Sequence, residues 1–168
     1  SRFERTGVVS HAYIWSIGAV GMAARMSNLN RDIRLSHPSL LYGQLNHQPI
    51  VKRHGDVFSR VQIRREEIEQ SMGYLRKLLQ NMPAQNTAAP LPSSLQPGVL
   101  AVSLVEGWRG EICHCAITDE NGDLIHYKIK DPSMHNWMAL ALAVRHQEIS
   151  DFPVCNKSFN LSYCGYDL

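Results

Sequence analysis

The chain is 168 residues long and 44% apolar, enough for one domain with a proper core. Its 17 basic and 15 acidic residues leave a formal charge of +2, too even a balance for a nucleic-acid or membrane-surface binder, which concentrates positive charge. No apolar run approaches the roughly 18 residues of a membrane span and no signal peptide is visible, so a cytoplasmic setting is expected. The chain opens Ser1-Arg2-Phe3 without an initiator methionine, as expected of a piece cut from a longer protein.

In chain order, a helical pattern starts at Ser10 and runs through Ile14, Trp15 and Ile17. It meets a stretch of small residues (18–24) just before Arg25, where a second backbone is expected to pass closely. A polar connection follows, with Asp32, Arg34 and the turn signal His37-Pro38. His47 and His54 stand alone in the loop up to Gly55 and read as surface residues.

Residues 55–83, GDVFSRVQIRREEIEQSMGYLRKLLQNMP, form the longest helical pattern. Phe58, Val61, Ile68, Met72, Leu75, Leu79 and Met82 fall on one stripe, the face expected in the core. Arg64, Arg65, Glu66, Glu67 and Glu69 then belong to a solvated face. Asp56 suits the positive end of the helix macrodipole, and Pro83 ends the pattern. Gly73, inside the helix at a cost of about 1 kcal/mol against Ala, suggests a close neighbouring backbone.

Residues 83–98 hold four prolines and read as a surface linker. Strands are expected at 99–105, buried by its apolar content, at 111–118 and at 124–130, with a turn at Asn121-Gly122. These make a small antiparallel sheet. Asp131 and Pro132 start a helix carrying Trp137, Leu140, Ala141 and Val144, and Asp151 and Pro153 start a shorter one reaching Phe159. The fold class read from this is α+β: a mainly helical body, one long helix and a small sheet, in a single domain over 1–168.

The chemistry legible in isolated residues is limited. Cys113-His114-Cys115 offers zinc-ligand types, but one-residue spacing on a strand throws His114 to the opposite face. Cys155 and Cys164 form no CxxC pair, and no phosphate loop or nucleophile triad is present.

The order of the longer motifs is more specific. GAVGMAARMSNLNRDIR (18–34), GDVFSRVQIRREEIEQSM (55–72), EGWRGE (106–111), YKIKDPSMHNW (127–137) and DFPVCNKSFNLSYCGYDL (151–168) together resemble one family. It is the large subunit of membrane-bound, energy-converting nickel–iron hydrogenases of the formate hydrogenlyase and hydrogenase-4 type, with the related quinone-site (49 kDa-type) subunit of respiratory complex I, the NADH:quinone oxidoreductase. The resemblance covers the C-terminal portion of such a subunit and implies a partial hydrogenase large-subunit fold. In the hydrogenases, two cysteine pairs hold nickel and iron, the second in a D-P-C-x-x-C segment. Here Asn160 and Leu161 replace Asp and Pro, Ser162 and Gly165 fall at the ligand positions, and Cys164 is one residue out of step. The resemblance therefore implies no nickel–iron centre in this chain, with iron–sulfur clusters in a partner subunit.

By the same resemblance Arg25, Asp32, Arg34, Asp56, Arg60, Arg109 and Glu111 surround an active-site cleft and its charged proton or coupling path. Asp56, Arg60, Arg109 and Glu111 are expected to converge on one partly buried cluster, and the same residues would also suit an ion-pair network that only fixes the fold. The function implied is that of a subunit in a membrane-associated electron-transfer complex, peripheral to the inner membrane. Its expected partners are an iron–sulfur small subunit and membrane subunits, with self-association of the isolated chain. The alternative is a non-catalytic scaffold that holds the iron–sulfur subunit.

Overall fold

Ser10 caps α1 (His11–Ser16) by accepting from the Tyr13 amide, which supplies a partner to one of the first-turn donors. The computed structural model that places it describes residues 2–38, 40–82, 84, 90 and 92–164. After α1 comes α2 (Gly21–Arg25), whose first residue has a φ of 59°. A Cβ on Gly21 would lie 2.3 Å from the Gly110 Cα. The close backbone approach expected of the small-residue stretch is this crossing. Asp32 then caps the single turn of α3 (Ile33–Ser36), and a 3-10 turn follows at Leu40–Gly43.

The long helix is α4 (Val57–Gln80), capped by Asp56, whose Oδ1 accepts from the Ser59 amide and hydroxyl, both at 2.8 Å. Beyond it, β1 (Leu100–Gly107), β2 (Gly110–Thr118) and β3 (Leu124–Lys130) form one antiparallel sheet in the order β1-β2-β3. Trp108 and Arg109 form the tight turn between β1 and β2, since Gly107 pairs with Gly110. In the second turn Asp119 Oδ1 accepts from the amides of Asn121 and Asp123. The chain closes with α5 (Ser133–Ala143) and α6 (Phe152–Phe159), the latter entered through a 3-10 turn at Ile149–Asp151.

The core lies where α1, α2, α5, α6 and the start of α4 meet, around Ile14, Met22, Met26, Ile63, Leu140 and Phe159. Three expectations fail against it. The apolar stripe of α4 is not its buried face: Val61, Ile68, Met72, Leu75, Leu79 and Met82 are 38–68% exposed. Only the first two turns enter the core, through Val57, Ser59, Arg60 and Ile63. A helix of 24 residues is about 36 Å long, more than the small body it starts from can cover. Second, β1 is exposed rather than buried: its first six residues lie open, Leu100 to 66% and Val102 to 57%. Third, nothing lies within 4 Å of a Cβ built on Gly73. Of the 83–98 linker, Pro83, 85–89 and Leu91 fall outside the described residues, and the described remainder is exposed without helix or strand.

Candidate functional site

Arg25, the last residue of α2, is 1% exposed and points into a group of charges from four segments. Its Nη2 donates to Glu67 Oε1 at 2.7 Å, and its Nη1 donates to Glu106 Oε1 at 2.9 Å and to the Arg31 carbonyl at 3.0 Å. Asp32 Oδ2 stands 3.5 Å from the same Nη1. Asp32 in turn accepts from Arg34 Nε and Nη2 at 2.9 and 2.7 Å, a bidentate pair, and Arg34 also reaches Glu67 at 3.1 Å. On its other side Asp32 meets His47 Nε2 at 3.1 Å, and His47 Nδ1 meets the Tyr74 hydroxyl at 3.0 Å. Because a carboxylate only accepts, the His47 Nε2 carries a proton and donates it to Asp32. A continuous hydrogen-bonded path thus runs from half-buried Tyr74 through His47 and Asp32 to the two arginines and on to Glu67 and Glu106.

Two guanidinium groups face three carboxylates here, so the network holds one negative charge more than positive while His47 is neutral. Burial alone would raise Asp32, but the hydrogen bonds and charges of Arg34, Arg25 and His47 outweigh it and hold the carboxyl at about 2. For Glu106 the balance reverses. Burial pushes its carboxyl up, and the Arg25 contact and the Ile33 amide at 3.2 Å do not cancel the rise. The network therefore contains one carboxyl held well below the ordinary carboxylate range and one raised above it. It forms a wall of a cavity of about 360 Å3 that is also lined by Tyr42, Arg64 and Trp108. Arg64 lies over the Trp108 ring, 4.4 Å from its centroid.

Arg25, Asp32 and Arg34 thus meet, while the other four residues do not converge. Asp56 is spent on the helix cap and also accepts from the Arg5 amide at 3.0 Å. Arg60 is 1% exposed, donates to Ser158 Oγ at 2.7 Å and to the carbonyls of Gly7 and Gly55 at 3.1 Å, and lies over Phe159. No carboxylate comes within ion-pair distance of it among the described residues. Arg109 Nε donates to the Asn160 carbonyl, and Glu111 pairs with Arg31 at 3.1 Å. The reasons are local. Asp56 sits before the helix rather than on a face shared with Arg60, and Arg109 lies in the β-turn, where strand alternation does not apply.

Glu67 and His47 are corrections in the opposite direction. Glu67 belongs to the network rather than to a solvated face, and His47, read as a surface residue, is 4% exposed. The signal for Glu67 was in the helix register: Arg60, Ile63, Glu67 and Tyr74 are separated by three, four and seven residues and share one face. Nothing local marks His47, since a loop has no period. Asn136 was also missed. Its Oδ1 accepts from the Val20 amide at 3.0 Å and its Nδ2 donates to the Arg109 carbonyl at 2.9 Å, clasping the β1–β2 turn to the start of α2.

Arg109 reaches the segment Asn160–Ser162 on which the resemblance lays the lost metal ligands, so the turn, the charge network and that segment occupy neighbouring parts of one body. Residues 1–99 match the family described as the respiratory-chain NADH dehydrogenase 49 Kd subunit. The chain belongs to that family. Among members and relatives of the 49 Kd subunit family, it is 33% identical to the carbon monoxide-induced hydrogenase of Rhodospirillum rubrum over 95% of this chain and 44% of that one. It is 32% identical to hydrogenase-4 component G of Escherichia coli (strain K12), over 82% of this chain and 24% of that one. A chain in the structure of the membrane-bound sulfane sulfur reductase, an archaeal respiratory membrane complex, superposes with a TM-score of 0.88 at 26% identity. That match covers 99% of this chain and 47% of the other. The chain thus spans less than half the length of these 49 Kd-type relatives, and it has their α+β fold with a three-stranded antiparallel sheet. Among the described residues no helix is long and apolar enough to cross a membrane.

Proposed function

We propose that this chain is part of a subunit of a membrane-associated electron-transfer complex of the hydrogenase and NADH–quinone oxidoreductase kind, peripheral to the membrane on its cytoplasmic side, with no nickel–iron centre of its own. The observation that carries the reading is the likeness to a subunit of a respiratory membrane complex over 99% of the chain. Iron–sulfur clusters then reside in a partner subunit, and electron transfer is a property of the assembly. The missing centre is supported by side-chain chemistry. Ser162 has a hydroxyl where a bridging thiolate is needed, and its amide donates to Ser133 Oγ at 3.0 Å. Gly165, at the second ligand position, lies outside the described residues. The donor set does not fit nickel and iron, and no step runs through them.

What this chain contributes is the charge network. Glu106, raised by burial and lining the cavity, is the group placed to take up or release a proton there, while Arg25 and Arg34 hold the acids in place. The test is purification of the tagged full subunit from the membranes of its native host. Co-purifying iron–sulfur and membrane polypeptides and substoichiometric nickel are expected, whereas a lone soluble protein or one nickel per chain would overturn the reading. In the intact complex Glu106→Gln should slow turnover by about a hundredfold or more, as loss of one positioned proton donor does. A fully active Glu106→Gln complex would leave only a scaffold role.

A further inference from the structure

Two residues along β2 from Glu111, the cross-strand partner of Glu106, Cys113 and Cys115 stand at i and i+2, so both thiols leave the strand from one face. Their sulfurs are 3.7 Å apart and both residues are half-buried, within reach of solvent. The register puts Lys130 directly across from Cys113 and Lys128 across from Cys115 on one side, with Leu104 and Val102 on the other. His114 faces the opposite way, bonded to the Tyr127 hydroxyl. Among the described residues no set of three or more His, Cys, Asp and Glu side chains comes together as a metal site.

We propose that Cys113 and Cys115 form a two-thiolate site for a soft monovalent cation of the copper(I) type. The donor count decides between ions. Structural zinc takes four protein ligands, and hard divalent ions take oxygen, so two thiols without a third donor suit neither. Copper(I) favours thiolate and accepts two of them. Binding is a proton exchange without redox change: one copper(I) and two thiols give a bis-thiolate complex of charge −1 and release two protons. Lys128 and Lys130 are placed to neutralise that negative charge, which a neutral zinc bis-thiolate would not need. As the middle strand, β2 is hydrogen-bonded on both sides, so its backbone holds the two Cβ atoms in place and the sulfurs have only to rotate to take up the ion. Burial and the neighbouring thiol push Cys113 up, so an incoming ion has to displace a proton there.

The experiment is an anaerobic titration of the full chain with copper(I) against a chromogenic copper(I) chelator. One ion per chain is expected, with at least a tenfold loss of affinity in Cys113→Ser and in Cys115→Ser, no change in Cys164→Ser, and a weaker complex in the double variant Lys128→Gln/Lys130→Gln. Copper should also protect Cys113 and Cys115 of the unaltered chain from alkylation, read by mass spectrometry, so the outcome does not depend on how the variants fold. Affinity retained in both serine variants, alkylation of the pair undiminished by copper, or binding that appears only with dimerisation would overturn the site.

Discussion

Asp32 is the residue on which the charge network turns, because Arg25, Arg34 and His47 all address its two oxygens. Its carboxyl titrates at about 2 in the fold against an ordinary 3.8, so its contribution is fully present above the ordinary value and is lost as pH falls through about 2. The shift amounts to roughly 2 kcal/mol. Glu106 acts with the opposite sign: a carboxyl raised above its ordinary 4.5 adds relative stability as pH falls through its folded value. Urea unfolding should therefore show no loss from Glu106 on mild acidification and the Asp32 loss only between pH 3.8, its ordinary value, and about 2, its value in the fold. Asp32→Asn should cost about 2 kcal/mol at neutral pH and flatten that acid limb, because it removes the charged acceptor of the Arg34 pair and of His47, while Glu67 and Glu106 still balance the two arginines.

Arg60 gives a second test at this scale. Burial lowers its guanidinium to about 10, which the Cys155 and Asp56 charges do not offset, and its bonds go to two carbonyls, a hydroxyl and the Met26 sulfur. Arg60→Met keeps bulk over Phe159 but removes every donor, and should cost about 3 kcal/mol in the unfolding midpoint. Glu111→Gln should cost less than about 1 kcal/mol, since its partner Arg31 is exposed.

At the scale of elements, α4 has two different halves. Its N-terminus is fixed by Asp56 and by Val57 and Ile63 in the core, while the turns beyond carry an apolar stripe to solvent. Asp56→Ala removes the cap and should cost about 1–2 kcal/mol, measured by chemical unfolding. Leu75→Glu and Leu79→Glu, by contrast, should leave the unfolding midpoint of the chain within about 0.5 kcal/mol. The two substitutions act instead on association. Sedimentation of the unaltered chain should show self-association through this stripe, and the double variant should sediment as a monomer. The hairpin of β1 and β2 works as a lever of another kind: its turn delivers Arg109 to Asn160 while the end of β1 delivers Glu106 to Arg25.

For the whole molecule, exposure and relationship agree. The relatives are about twice as long or longer, and the surfaces left open here, the stripe of α4 and the outer residues of β1, are large and apolar. A chain of this shape has a core of its own at one end and an unsatisfied helix at the other. The charge network lies between them, walled by α4 on one side and by the β1–β2 hairpin on the other, which is where a cavity can communicate with both.

The sequence by itself determined the elements, because caps, periods and turns are local. Asp56 opens a helix, Asn121-Gly122 turns a strand, and Asp131-Pro132 precedes α5 whatever surrounds them. The order of the five motifs was likewise legible and led to the family, and Arg25, Asp32 and Arg34 were marked as charged positions. Tertiary structure alone decided which face of α4 is inside. Periodicity finds the apolar face, and that face is buried only where something covers it, whereas here the covered face carries Arg60, Ile63, Glu67 and Tyr74. It also decided the membership of the network. Glu67, Glu106 and His47 come from positions up to 81 residues from Arg25, and no local rule couples an acid on a helix, an acid on a strand and a histidine in a loop. Only folding brings them close enough for two arginines to offset the cost of burying them.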